Sequence, residues 1–192
     1  MTMPRLFLVA PEGVPVNRLV DCLRAAYGAG DVASLLVPAG IARDIAGPAQ
    51  ALGVAVIVSG EPRDARPSGA DGVHVEATTE AVSEARKSVG KDLVVGAFAG
   101  SSRHFAMEAA EAGADYVALS QNGATLGGEP IVKWWSDVME IPCVAFDPVE
   151  PQDLDHLLPQ KPDFIRPSET MWDDEEAARR IVSEIAQRLS SP

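Results

Sequence analysis

Residues 69–120 read GADGVHVEATTEAVSEARKSVGKDLVVGAFAGSSRHFAMEAAEAGADYVALS, and they state one structural phrase twice. Gly69-Ala70-Asp71 leads into the apolar run Gly72-Val73-His74-Val75, and Gly113-Ala114-Asp115 leads into Tyr116-Val117-Ala118-Leu119. Residues 92–98 form a third apolar run between them. An unbroken apolar stretch of this length suits a strand buried on both faces, as parallel sheets require. The inserts between the runs are of helix length, whereas antiparallel neighbours would need only a tight turn. The phrase is therefore a strand followed by a helix.

Outward from this centre the same unit recurs. Toward the amino terminus, strands are expected at residues 6–10, 31–37 and 54–58. The helix at 14–30 places Val16, Leu19, Val20, Leu23 and Tyr27 at helical spacing and closes on Gly28 and Gly30. A second helix is expected at 41–52, with a break at Gly47-Pro48. Within the central stretch the strands are 72–75, 93–98 and 116–119, and the helices are 79–89 and 102–112. Ser101 or Ser102 suits the cap of the latter helix. Toward the carboxyl terminus, helices fall at 131–139, 153–158 and 174–189, and strands at 143–146 and at 164–165 with Arg166. Only the link after strand three is defective, because Pro62 and Pro67 leave room for at most one helical turn. Eight alternations predict a single α/β domain over residues 1–192, an eight-stranded (β/α)8 TIM barrel with an abbreviated third helix. A doubly wound open sheet is the other arrangement compatible with the pattern. Over residues 61–68 the barrel wall is expected to be thin, leaving apolar surface exposed or covered by a second subunit. A homodimer is accordingly among the expected assemblies.

A chain of 192 residues with 46% hydrophobic content can bury a sizeable core. No run reaches the length of a membrane span, and MTMPRLFLVAP lacks a basic region with a cleavage site. Cys22 and Cys143 fall in a helix-like and a strand-like run, which fits buried reduced thiols in a cytoplasmic protein. The net charge of -12 argues against a nucleic-acid partner and makes a phosphate-rich substrate awkward.

In a barrel, chemistry gathers at the carboxyl ends of the strands. That rule selects Glu76, Ser101, Ser102, Gln121, Asn122, Thr125, Asp147, Arg166 and Ser168 as candidate ligand contacts, with Ser59, Glu61 and Ser120 nearby. Structural roles compete for several of them. Ser101, Ser102 and Ser168 also suit helix caps, and His74, inside a strand, suits the core. His104 and His156 fit helix surfaces, and Trp134-Trp135 fits one core and one half-exposed indole.

The phrases GADGVHVE and VVGAFAGSSRHFAMEAAEAGADYVALS, with the spacing from Val54 to Gly69, resemble thiamine-phosphate synthase and its thiazole-tautomerase relative. The resemblance implies a barrel that joins a hydroxymethylpyrimidine diphosphate to a thiazole phosphate. Magnesium would hold the pyrophosphate, whose departure gives a pyrimidine cation for the thiazole nitrogen to trap. The residues for that chemistry are mostly replaced. Leu36 and Pro38 stand where the family has the Arg and Lys that bind diphosphate. Ser59-Gly60 and Glu76-Ala77-Thr78-Thr79 replace the two segments that supply metal carboxylates. Ser101 or Ser102, Thr125 and Ser168 match family hydroxyls, whereas Asp147-Pro148 replaces a Gly-Gly of the phosphate site and Gln121 replaces the tautomerase histidine.

Three functions stay open on the sequence. The chain is a working synthase with magnesium; or a barrel enzyme of altered substrate using Glu76, Asp147 and Arg166; or a non-catalytic relative that binds a small molecule or a partner. No metal-ligand spacing stands out, and no catalytic residue can be assigned. Two acids at the mouth favour a neutral or cationic ligand, or one whose single anionic group sits beside Arg166 and Ser168.

Overall fold

The computed structural model describes residues 3–122 and 128–190. Eight parallel strands close into a barrel in chain order. They are β1 (Arg5–Val9), β2 (Val32–Pro38), β3 (Ala55–Ser59), β4 (Gly72–Glu76), β5 (Val94–Gly100), β6 (Tyr116–Leu119), β7 (Cys143–Val149) and β8 (Phe164–Pro167). The helices are α1 (Val16–Tyr27), α2 (Ala39–Gln50), α3 (Ala65–Ser68), α4 (Thr79–Val89), α5 (Arg103–Glu111), α6 (Ile131–Val138), α7 (Leu154–Leu157) and α8 (Glu175–Ser190). Among the described residues no helix is long and apolar enough to cross a membrane.

Alternation along the strands divides the interior into two cores. Outward-facing Leu8, Leu35, Val58, Val73, Val95, Val117 and Ile165 pack under the helices. Inward-facing Phe7, Leu36, Ile57, Tyr116, Ala118 and Val144 fill the barrel with Phe98, Phe146 and Phe164. Four of the chain's five phenylalanines therefore lie inside the barrel. Two glycines make room for this filling. A Cβ on Gly96 would lie 2.0 Å from the Tyr116 ring, and one on Gly72 would lie 2.6 Å from the Val94 carbonyl oxygen.

The repeated Gly-Ala-Asp acquires a physical role at the amino-terminal end of the barrel. Asp71 reaches across to β3, where Oδ2 accepts the Val56 N–H at 2.7 Å and a Gln50 amide N–H at 3.0 Å. Asp115 does the same for β5, accepting the Val95 N–H at 2.7 Å and Arg86 Nη2 at 2.5 Å. Asp163 repeats it for β7 through the Cys143 N–H at 2.8 Å. Each carboxylate satisfies a strand-end donor that would otherwise lack a partner. Arg86 adds bonds to the carbonyls of Gly90, Leu93 and Gly113, tying α4 to the lead-ins of β5 and β6. Asp115→Ala is expected to lower stability by about 2 kcal/mol in urea unfolding, the range for hydrogen bonds to charged groups. A change within about 0.5 kcal/mol, ordinary for a surface position, would remove this role.

The defective link is a 3-10 turn (Pro62–Asp64) continued by the four residues of α3, so the third helix is abbreviated as expected. The expected bare apolar wall is not found there. Ala65 is buried, and the polar side chains of Arg43, Gln50 and Arg66 bond the carbonyls of Pro67, Gly69 and Val89 across the gap. Val56, Val58 and Val73 beneath are completely buried, so the premise for a second subunit at this wall falls away. The expected break at Gly47-Pro48 is also corrected. α2 runs through Pro48, because Ala42, Ile45, Ala46 and Ala49 anchor it on the barrel. Burial of that face outweighs one missing hydrogen bond near the helix end.

Candidate functional site

The carboxyl ends of the strands carry three groupings of polar side chains, and the expected residues divide among them. Gln121, Asn122 and Asp147 come together between β6 and β7. The Asp147 carboxylate accepts the Ser120 hydroxyl at 2.8 Å and the Asn122 backbone N–H at 2.8 Å. Gln121 clasps the Asp147 backbone in both directions, donating at 2.7 Å and accepting at 3.0 Å. This pair of hydrogen bonds to the β7 backbone suits an amide side chain, which offers a donor and an acceptor side by side.

Arg166 and Ser168 lie at the end of β8, each with an acid from a neighbouring turn. Arg166 projects into the barrel, stacks at 5.0 Å over the Phe146 ring and donates to the Phe146 carbonyl. Its Nη2 meets Glu169 at 2.6 Å. Burial pulls this guanidinium below its ordinary value, while Glu169 and Asp147 oppose the shift. The Ser168 hydroxyl donates to Glu150 at 2.5 Å and also lies 3.0 Å from the Thr170 hydroxyl. Ser168 caps the 3-10 turn Glu169–Trp172, accepting the Thr170 N–H. Glu150 and Glu169 were not selected from the sequence. As acids just beyond strand ends they carried the topological signal, but nothing pointed to their partners.

Glu76 stands apart from Asp147 on the β3–β4 side. There a cleft of about 440 Å³ is lined by Ser59, Glu61, His74, Glu76 and Glu84. His74 is buried at 8% exposure, with Nδ1 2.8 Å from the Tyr116 hydroxyl and its ring stacked against Phe146. Burial pushes its imidazole down to about 4 and pushes the Tyr116 phenol up. Ser102 is the cap of α5, its hydroxyl accepting the Phe105 N–H, while Ser101 is exposed. Thr125 lies outside the described residues. His104 and His156 are exposed, Trp135 is fully buried, and Trp134 is half-buried under Arg103.

A closed (β/α)8 barrel whose polar groups gather at the carboxyl ends of its strands defines a TIM-barrel protein with a mouth of small-molecule size. A family model described as thiamine monophosphate synthase matches residues 39–165. The thiamine-phosphate synthase of Rhodospirillum centenum is 36% identical, with 90% of this chain and 91% of that protein covered. The thiamine-phosphate synthase of Hyphomonas neptunium is 31% identical, with 93% and 90% covered. Among solved structures, thiamine phosphate pyrophosphorylase from Pyrococcus furiosus superposes with a TM-score of 0.76 at 18% identity, covering 97% of each chain. A 3-hexulose-6-phosphate synthase shares the fold at a TM-score of 0.71 and 13% identity, over 95% of this chain and 98% of that one. The chain belongs to the thiamine-phosphate synthase family.

Proposed function

We propose that this protein is a thiamine-phosphate synthase-like barrel that does not make thiamine phosphate and whose mouth takes a small neutral or cationic molecule. One observation carries the reading. Among the described residues, four donors that a phosphate could use at this end are held by the chain's own carboxylates: Ser120 and Asn122 by Asp147, Ser168 by Glu150, and Arg166 by Glu169. A bound phosphate would have to displace these internal anions and then sit among them, which Coulomb repulsion in a half-buried mouth opposes. Pro148, next to Asp147 in β7, has no N–H to offer.

The magnesium–diphosphate half of the family chemistry fits these residues no better. Leu36 belongs to the apolar filling of the barrel, and Pro38 carries no charge. Gly60 has no side chain, and Thr79 opens α4 without a carboxylate. Among the described residues no group of three His, Cys, Asp or Glu is arranged to hold a metal ion.

A second reading, a working synthase, is favoured by the description carried by the relatives at 31–36% identity. A single assay separates the two. Purified protein with hydroxymethylpyrimidine diphosphate, thiazole phosphate and magnesium is expected to form no thiamine phosphate, and calorimetry is expected to find the diphosphate binding at millimolar strength or not at all. Turnover at an ordinary rate of roughly one per second or faster would establish the synthase instead.

A further inference from the structure

The cleft between the ends of β3 and β4 gathers acids that have no cation partner among the described residues. Glu61, Glu76 and Glu84 around it are exposed, and among the described residues none of the three pairs with a cation. Elsewhere at the mouth every acid discussed above has its own donor, so these three are distinct in lacking one. Acids alone suit a solvated rim. The second feature is His74, which lines the same cleft, is more than nine-tenths buried, and has no partner for Nε2.

The tautomer follows from hydrogen-bond accounting. If the Tyr116 hydroxyl donates to Nδ1, one buried group, the Nε2–H, is left without a partner. In the reverse arrangement the Tyr116 proton and the Nε2 lone pair are both left over. Burial keeps the ring neutral at physiological pH. His74 thus carries one unmet donor, buried beside a cleft that is also lined by three unpaired carboxylates. An unmet buried donor is destabilising, and an acceptor atom of a ligand would relieve it.

We propose that this cleft binds a small organic ammonium that also carries a neutral hydrogen-bond acceptor, the ammonium facing Glu61, Glu76 and Glu84 and the acceptor meeting His74 Nε2–H. The proposal deepens the reading of the mouth given above and rests on it. Its chemistry excludes anionic ligands at this position and requires both ends of the ligand to be matched.

The test uses three simple probes on the intact protein, followed by calorimetry and by amide chemical shifts of the cleft residues. 3-(Aminomethyl)pyridine has an ammonium and a ring-nitrogen acceptor, benzylamine has only the ammonium, and pyridine-3-carboxylate has the acceptor with an anion. 3-(Aminomethyl)pyridine is expected to bind tightest, benzylamine roughly fivefold more weakly for want of one hydrogen bond, and the carboxylate undetectably. The Glu61→Gln, Glu76→Gln double variant, altered only at exposed positions, is expected to weaken both amines by roughly tenfold at low salt. His74→Phe, which keeps a ring in the stack, is expected to erase the difference between the two amines. Equal binding of the carboxylate, amine binding untouched by the double variant, or no binding of either amine would overturn the proposal. Formation of thiamine phosphate by the same preparation would overturn the reading beneath it as well. Without such turnover, a negative result at the cleft falls on this proposal alone.

Discussion

Gly96→Ala is expected to cost about 3 kcal/mol of stability, the upper end of the ordinary range for overpacking. The added methyl would meet Tyr116 Cζ at 2.0 Å, so the ring must leave its place across β5. That place is fixed on two sides, by the 2.8 Å contact of the hydroxyl with His74 Nδ1 and by the edge-on packing of Phe7 at 5.5 Å between ring centres. Moving the ring therefore loses a buried hydrogen bond and disturbs an aromatic contact together. Urea unfolding at pH 7.5 measures this directly, as a lower midpoint at unchanged slope. A loss under about 1 kcal/mol would mean that the barrel interior relaxes around the methyl and that the site does not require glycine.

The second large effect is on acid stability. His74 has a folded-state value of about 4 against an ordinary 6.5, with burial as the cause. A histidine depressed in this way contributes stability that is fully present above pH 6.5, where folded and unfolded states both leave it neutral. As pH falls below 6.5 the unfolded chain takes up a proton that the folded chain refuses, and stability declines until about pH 4. The gap corresponds to about 3 kcal/mol lost across that window. The folded protein is thus expected to lose urea resistance steeply between pH 6.5 and 4.5, and His74→Phe is expected to flatten that part of the curve. Carboxylates contribute to acid unfolding in both proteins, so the difference between the two curves is the quantity that reports on His74. Parallel curves would show that His74 protonates in the folded state as readily as in the unfolded one.

Much of the barrel could be read from residue patterns because strand burial and helix periodicity are local. α4 and β6 begin and end where the apolar runs and small residues place them. Errors arise where a tertiary contact overrides a local signal. Pro48 sits inside α2 because the buried face of that helix holds it. β7 extends to Val149 through Pro148, past an irregular register with β8 that spares the sheet a missing donor. The site was legible to a lesser degree. Topology puts Glu76, Asp147, Arg166 and Ser168 at strand ends, but their partners are set by pairings across strands and turns. Asp147 with Ser120, and Ser168 with Glu150, are such pairings. Glu84 was not selected from the sequence, and the packing of α4 beside β4 is what sets it at the cleft.

The carboxylates that hold the amino-terminal strand ends have a consequence for descent. From Asp115 to Ser120 the chain covers about 16 Å at an ordinary strand rise, beyond the distance at which substitutions usually couple. Exchanges at one pole of the barrel thus add to those at the other without altering their effect. A lineage can replace its mouth one position at a time while Asp71, Asp115 and Asp163 go on holding the strands. Similarity concentrated in Gly69-Ala70-Asp71 and Gly113-Ala114-Asp115 consequently measures kinship of the scaffold, and two proteins that share it are free to differ in what they bind.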